Sequence, residues 1–267
     1  MIDTHCHLVF GVDDGSYGAS ESLRMAEIAI KSGITDIIAT PHCIPGMFEN
    51  YAGEGYDLAF GRLIEVLHEN KLDRRLRVHR GMEAFAGPST LDDWDRGRLV
   101  HLAHSDYLLI ECDFGEDPRV LQDILRQLKA RGVKPIVAHP ERYYFAHDNI
   151  KYLYDLADMG CALQLDTESI LGGFGRDCRN AALELLGSSA AQLAASDAHD
   201  SRSRVPDMRE AADYVADRFS PGYAELLFDT NPARILENKP LLFRGQERRQ
   251  RRRSPDGFMS DEEYWGI

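Results

Sequence analysis

The chain has 267 residues, 43% of them hydrophobic, which suits one large α/β domain with a substantial core. Its formal net charge is −13 and its sequence pI is near 5.2, so a nucleic-acid-binding surface is not expected to be the main business of the fold. No apolar run reaches about 18 residues, which excludes a transmembrane helix and membrane insertion. The first residues also lack the basic-then-apolar pattern of a cleavable leader, so the expected location is cytoplasmic.

Ile2 to His7 reads as the first strand, with Asp3, His5 and His7 alternating onto one face. Two imidazoles two residues apart on a strand form a rigid pair of nitrogen donors, which suits zinc, iron and related ions. Gly11 to Gly15 is a loop carrying Asp13 and Asp14 between glycines. Apolar spacing after Ser20, with Lys31 and Gly33 at the far end, predicts a helix over 20–32. Ile34 to Thr40 is a strand leading to Pro41-His42, and residues 57–71 form a second amphipathic helix. Leu76 to Met82 is strand-like and ends at Glu83. Ser105 to Ile110 is another strand and ends at Glu111.

A helix over 118–131 closes at Gly132, and Val133 to Ala138 is a buried-type strand ending in His139-Pro140. Residues 148–159 are helical, Cys161 to Leu165 is a short strand, and 176–187 are helical. Gln192 to Ser196 is a last strand, ending in Asp197-Ala-His199, before helices over 206–219 and 221–228. Strand and helix thus alternate about seven times with short connections, which means parallel strands with crossover helices. An open doubly wound sheet gathers its site at one or two switch points. Polar residues recurring at six or seven strand ends fit a closed ring better. There is no internal repeat.

The stretch from Arg244 to Ile267 differs in kind, with six Arg and five acidic residues and no periodic apolar face. It reads as a disordered tail on a domain spanning 1–243.

Collected by strand end, the candidate ligands are His5, His7, Asp14, His42, Glu83, Glu111, His139, Asp197 and His199. Nine donors exceed the roughly four that one zinc takes. Two or three ions bridged by a carboxylate such as Glu83 would use them all. Paired metals clamp the attacking and leaving oxygens of a phosphoryl displacement. Arg142 and Arg204 each follow a candidate histidine by a few residues, and a guanidinium grips phosphate oxygens in a bidentate way. The remaining histidines, His68, His79, His101, His104 and His147, are expected off the site. Cys6 alternates with His5 and His7, so it should face away and pack, and packing is also expected of Cys43 and Cys112.

Other hydrolytic chemistries are excluded. There is no Gly-x-Ser-x-Gly elbow for a serine hydrolase. A cysteine phosphatase wants an Arg six residues beyond its nucleophile. Those positions hold Val12, Glu49, Pro118, Thr167 and Glu184. The five cysteines, odd in number and without a Cys-x-x-Cys pair, fit reduced cytosolic thiols rather than a disulfide framework.

Asp3-Thr-His5-Cys-His7, Asp13-Asp14-Gly15, Ala39-Thr-Pro-His42, Gly81-Met-Glu83, Ile136-Val-Ala-His139-Pro-Glu-Arg142-Tyr143 and Ser196-Asp197-Ala-His199 resemble the PHP (polymerase and histidinol phosphatase) family. Gly46-Met-Phe-Glu49 and Thr230-Asn-Pro-Ala-Arg-Ile-Leu236 look like its CpsB/YwqE-type branch, the bacterial manganese-dependent protein-tyrosine phosphatases of capsule and exopolysaccharide operons. The resemblance implies a distorted (β/α)7 TIM-like barrel holding three divalent ions, Mn2+ first, with iron or Zn2+ as alternatives. By motif position, His5, His7, Glu83 and Asp197 would hold the first ion. Glu83, Glu111 and His139 would hold the second, and Asp14, His42 and His199 the third. Arg142 and Arg204 would bind the phosphate. The implied substrate is phosphotyrosine on the C-terminal tail of a bacterial tyrosine kinase of polysaccharide assembly.

Histidinol phosphate or another small phosphomonoester is the alternative substrate. A metal-binding scaffold and a polymerase-associated exonuclease are the alternative classes. A homo-oligomer is left open. Cys6 stands where the branch often has Ser, and the arginine-rich tail is not part of the pattern.

Overall fold

A computed structural model of the chain describes residues 1–243. The tail expected over 244–267 lies outside the described residues. Ten strands form in chain order: β1 (Ile2–Cys6), β2 (Asp36–Ala39), β3 (His42–Ile44), β4 (Phe48–Glu49), β5 (Arg77–Arg80), β6 (Glu83–Phe85), β7 (Tyr107–Glu111), β8 (Lys134–Ala138), β9 (Ala162–Asp166) and β10 (Leu193–Ala195). All pairings are parallel except that of β3 with β4, a short hairpin.

The parallel strands form a ring of seven staves: β1, β2 continued by β3, β5 continued by β6, then β7, β8, β9 and β10. β2 runs through Thr40 and Pro41 into β3, while β5 runs through Gly81 and Met82 into β6. Each half pairs in its own ladder, β1-β2-β5 and β10-β9-β8-β7-β6-β3. The ring meets itself beyond β10, where Asp197 N donates to His5 O over 2.9 Å and His7 N donates to Ala198 O over 2.8 Å. This is a distorted (β/α)7 barrel, as the sequence predicts.

The crossovers are α1 (Ala19–Ser32), α2 (Glu54–Glu69), α3 (Thr90–Asp95), α4 (Pro118–Ala130), α5 (Tyr144–Asp148), α6 (Lys151–Asp158), α7 (Thr167–Leu171) and α8 (Arg176–Gly187). Then α9 (Arg209–Arg218), α10 (Pro221–Glu225) and α11 (Asn231–Leu236) follow among the described residues. α1 stops where Gly33 enters a left-handed backbone at φ 90°, and its N–H returns to the carbonyl of Ile30. α4 starts on Asp117, whose side chain caps Arg119 N, with Pro118 in the first turn. Among the described residues, no helix is long and apolar enough to cross a membrane.

Two apolar layers follow from strand alternation. Leu108, Ile110 and Val137 point out to the helices and join the large outer core. Tyr107, Leu109, Ile136 and Leu193 point into the ring and pack with Ile38, Leu102 and Ile235 as a plug at its N-terminal end. The same inward faces turn polar at the other end, with Glu111 on β7 and Gln164 and Asp166 on β9. The plug is sealed by α11. Its Asn231 side chain donates to the carbonyls of Gln192 and Leu242 and accepts from Leu242 N.

Several expected boundaries move. The strand expected over 76–82 breaks at Gly81, where a Cβ would sit 2.7 Å from Ile38 and 2.9 Å from Leu102 in the plug. Glu83 therefore begins β6 rather than ending a strand, and His42 likewise begins β3. The helix expected over 148–159 begins later, at Lys151 in α6, because the Asn149 backbone is extended, and a separate short helix, α5, precedes it. Residues 226–230 form a π-turn, so the helix expected over 221–228 ends at Glu225.

Candidate metal centre

The two imidazoles of β1 turn one nitrogen each toward the ring axis because something behind them holds the other. His5 Nδ1 donates to Gln164 Oε1 over 3.1 Å, and Gln164 donates in turn to Thr4 Oγ1 over 2.8 Å. His7 Nδ1 donates to Asp13 Oδ2 over 2.8 Å. Both Nε2 lone pairs are left facing inward, 3.2 Å apart. Glu83 Oε2 and Asp197 Oδ1 stand at 3.2 Å from His5 Nε2 and at 3.4 Å from His7 Nε2. These four residues form one donor group.

His42 supplies a second. Its Nδ1 lies 3.0 Å from Glu83 Oε2 and 2.7 Å from Glu111 Oε1. A third gathers His7, Asp14, His42 and His199. His199 Nδ1 donates to the carbonyl of Asp197, which leaves its Nε2 facing Asp14 Oδ1 at 3.6 Å. His139 Nε2 lies 2.9 Å from the other Glu83 oxygen and 3.9 Å from Glu111. All nine sequence-selected donors are thus brought to one end of the ring. The grouping differs in detail from the expected one, because His42 stands beside the two glutamates and His7 beside Asp14.

The donor chemistry fits cations. The inward oxygens Glu83 Oε2, Glu111 Oε1 and Asp197 Oδ1 are buried yet have no hydrogen-bond partner. A buried carboxylate oxygen left unmatched is costly unless a cation meets it. Burial would raise the Glu83 pKa, but His5, His42 and His139 hold it well below the usual carboxylate range. Burial opposes charge on His42 as well, yet Glu83 and Glu111 lift it to about 10. Ionised carboxylates with a surplus demand for positive charge are what a multinuclear divalent site presents.

Backbone geometry marks the same residues. His139 and Asp197 sit at φ 34° and 48°, a left-handed conformation uncommon outside glycine. Gly15 is required by close approach, since a Cβ there would lie 2.4 Å from His7 Cβ. Asp3, on the same strand face as the histidines, is not among the donors. It is fully buried, and Ser196 binds it with both Oγ, at 2.6 Å, and N, at 3.1 Å, which fixes the loop carrying Asp197.

Comparison with known proteins agrees with this architecture. Residues 1–237 match the family described as capsular polysaccharide synthesis, CpsB/CapC. The chain belongs to the CpsB/CapC family. The tyrosine-protein phosphatase YwqE of Bacillus subtilis strain 168 is 32% identical over 97% of this chain and 100% of its own length. A solved structure from work on YwqE of Bacillus subtilis and CpsB of Streptococcus pneumoniae, described as unique metal-dependent tyrosine phosphatases, covers 91% of this chain. It covers 97% of its own, with a TM-score of 0.85 at 30% identity. Histidinol phosphate phosphatase of Lactococcus lactis shares the fold, with a TM-score of 0.53 at 14% identity over 85% of this chain and 94% of its own.

In this CpsB/CapC-family chain the two expected arginines meet at the outer oxygen of Asp197. Arg142 Nη1 donates to Oδ2 over 2.9 Å, and Arg204 Nη2 donates to the same atom. The site runs from Glu83, fully buried, to Asp14, whose side chain is 57% exposed. Phe48 stacks on His42 at a centroid distance of 6.0 Å, and the neighbouring Met47 is 68% exposed. On the opposite rim Phe114 packs edge-on to His139, next to Tyr144, which is 62% exposed.

The histidines expected elsewhere are elsewhere. His68 pairs with Asp73, His79 with Asp36, His101 with the Ser105 carbonyl and His147 with the Glu141 carbonyl. His104 stands in a left-handed turn ahead of β7. Cys6, Cys43 and Cys112 are buried in the outer core, and all five cysteines are unpaired. Sequence reasoning missed Gln164, Asp166 and the supporting role of Asp13. Asp13 was legible as the neighbour of Asp14, but Gln164 and Asp166 carry no local signal.

Proposed function

We propose that this chain is a metal-dependent phosphomonoesterase acting on phosphotyrosine in proteins. The observation that carries the reading is the sharing of Asp197. One of its oxygens faces the histidines of the donor cluster and the other faces two guanidiniums, so a phosphoryl group seated beside it would touch both. Three divalent ions, Mn2+ first, would be held by His5, His7, Glu83 and Asp197; by Glu83, Glu111, His139 and His42; and by Asp14, His42, His199 and His7. Bound there, the ions would supply a nucleophile from water near neutral pH and neutralise charge on the phosphoryl oxygens.

The chain's own residues do the rest. Arg142 and Arg204 receive the equatorial oxygens with N–H pairs and stabilise the charge that develops in the transition state. Gln164 and Asp13 hold His5 and His7 in the tautomers that aim Nε2 at the ions. The leaving group is a phenolate, which ionises near pH ~10 and departs without a strong general acid. Water adds to phosphorus as the aryl oxygen leaves, giving phenol and inorganic phosphate.

The named activity of YwqE supports phosphotyrosine as the substrate class. The open rim of Phe48, Met47 and Tyr144 supports a protein rather than a small enclosed phosphate, and the tyrosine-rich tail of a polysaccharide-assembly kinase has the required chemistry. The catalytic domain is residues 1–243, acting in the cytoplasm, where five free thiols are stable. The test is metal-stripped protein resupplied with Mn2+, assayed on a phosphotyrosine peptide beside histidinol phosphate. Metal-restored turnover of the peptide with little on histidinol phosphate is expected. The reverse preference, or full aryl phosphatase activity in His42→Ala and Glu111→Ala, would defeat the reading.

A further inference from the structure

Arg142 and Arg204 come from different segments, one from the turn after β8 and the other from the loop after His199. They nonetheless share one aromatic ring. The Cζ of Arg142 lies 4.3 Å from the centroid of Phe174, and that of Arg204 lies 5.6 Å from it. Arg142 also lies 4.8 Å from the centroid of Phe114.

Phe174 is presented by a loop built for it. It sits in Gly172-Gly173-Phe174-Gly175, between α7 and α8. Gly172 and Gly175 have φ values of 99° and 92°, where a side chain is strained. Asp166 ties this loop to the arginines. Its Oδ1 accepts from Glu168 N at the start of α7 over 2.8 Å, and its Oδ2 stands 3.6 Å from Arg142 Nη1. Phe174 itself is only half-buried, so filling core volume does not account for the two left-handed glycines framing it.

A guanidinium laid on an aromatic face keeps its N–H edge free, because the ring attracts the cation through its π cloud and takes no hydrogen bond. In this structure the free edges of both arginines point at Asp197 Oδ2. A phosphoryl group must draw those N–H groups toward its own oxygens. The shared ring is the contact that can survive the exchange, holding both guanidinium carbons within 5.6 Å of one centroid while their N–H groups change partner.

We infer that Phe174 is a positioning residue, an aromatic platform that pairs Arg142 with Arg204 for the phosphoryl oxygens. The inference rests on the assignment of those arginines to phosphate given above. A leucine at 174 would keep the bulk and lose the π face, whereas a tyrosine would keep both.

The test uses the Mn2+-loaded protein, with para-nitrophenyl phosphate as substrate and inorganic phosphate as competitive inhibitor. Phe174→Leu is expected to weaken phosphate inhibition and to lower kcat/KM by about tenfold, the effect of losing a partly desolvated cation–π contact. Metal content should stay unchanged, and Phe174→Tyr should behave as the parent. With Arg204→Ala already in place, Phe174→Leu should cost less than it does alone, because one of its two partners is gone.

A Phe174→Leu protein that binds phosphate as the parent does, or a Phe174→Tyr protein as impaired as Phe174→Leu, would overturn the platform. Arg142→Ala and Arg204→Ala separate the two levels. If both leave phosphate inhibition unchanged, the assignment of the arginines falls and the platform falls with it. If they weaken it while Phe174→Leu does not, only the platform falls.

Discussion

Asp197 and His5 are linked twice, once through the backbone, where Asp197 N donates to the His5 carbonyl, and once through their side chains, 3.2 Å apart from Oδ1 to Nε2. The same pair that joins the last stave to the first also sits at the centre of the donor cluster. Asp197→Asn keeps the shape and removes the charge that two histidines and two arginines face. Losing an outer partner of a metal ligand already costs about 10–100-fold in affinity or activity, so kcat/KM should fall by at least about 100-fold. Elemental analysis of the purified variant should find less metal per chain than in the parent, and parental metal content with parental rate would contradict the assignment.

Gln164 and Asp13 act one layer further out. Gln164→Ala frees the His5 ring to rotate, and Asp13→Ala removes the acceptor that fixes His7. Each should weaken metal affinity by about 10–100-fold, and high Mn2+ should restore much of the rate. Titration of stripped protein with Mn2+, read by activity, measures the shift directly. A rate loss that no excess of Mn2+ repairs would mean the ring orientation matters for something other than holding the ion.

Metal removal should also show in stability. The cluster gathers four carboxylates, three of them with buried oxygens unmatched, so the stripped state keeps their repulsion. An ion bound at about 100 times its Kd adds about 2.7 kcal/mol for each site. In a domain of this size each kcal/mol is worth about 2–4 °C of Tm. Thermal unfolding of stripped protein with and without saturating Mn2+ should therefore differ by at least about 5 °C, and coincident curves would count against a built metal site.

A separate pair governs acid stability. Asp36 is buried and accepts from Arg77 Nε and Nη2, each at 2.7 Å, with His79 Nε2 at 2.9 Å and Thr35 Oγ1 at 2.9 Å. Burial alone would raise its pKa, but those hydrogen bonds prevail and hold it at about 2. The unfolded value is near ~3.9. Because the folded value is the lower one, the stabilisation is complete above the unfolded pKa and is lost as pH falls through 2. Arg77 is largely exposed, so solvent screening limits the contribution to about 1–2 kcal/mol. Asp36→Asn should be less stable than the parent in urea at pH 7, with the gap narrowing from about pH 4 downward; a constant gap would assign the effect to packing.

The inner plug gives a control far from the chemistry. Leu109 is fully buried in the small cluster with Ile136 and Leu193. Leu109→Ala should cost about 2–5 kcal/mol while leaving the metal stoichiometry of the folded protein intact.

How legible all this is in the sequence follows from which forces are local. The nine donors can be picked out because each stands beside an apolar run of strand character, and a parallel ring must bring such positions to one end. His42 and Glu83 were legible as donors but misplaced on their strands. A β-rich run does not reveal that Gly81 has to fit between Ile38 and Leu102 while the stave passes from one ladder to the next. Gln164 is invisible for a different reason. It reads as the polar residue of a short apolar strand, and its value comes only from His5, 159 positions away. Phe174 likewise looks like an ordinary loop aromatic until two arginines from remote segments are seen to share it.

The seam at Ala198 also bears on how the protein is made. The two imidazoles of β1 are synthesised well before their partner Asp197, which meets them through backbone and side-chain contacts that span some 190 positions of chain. Closing so distant a contact is slow and comes late. Cation capture at full strength therefore awaits synthesis past His199, and a nascent chain cut short before Asp197 carries seven of the nine donors without the two that join the last stave to the first. The seam ties assembly of the full donor set to synthesis of the segment carrying Asp197 and His199.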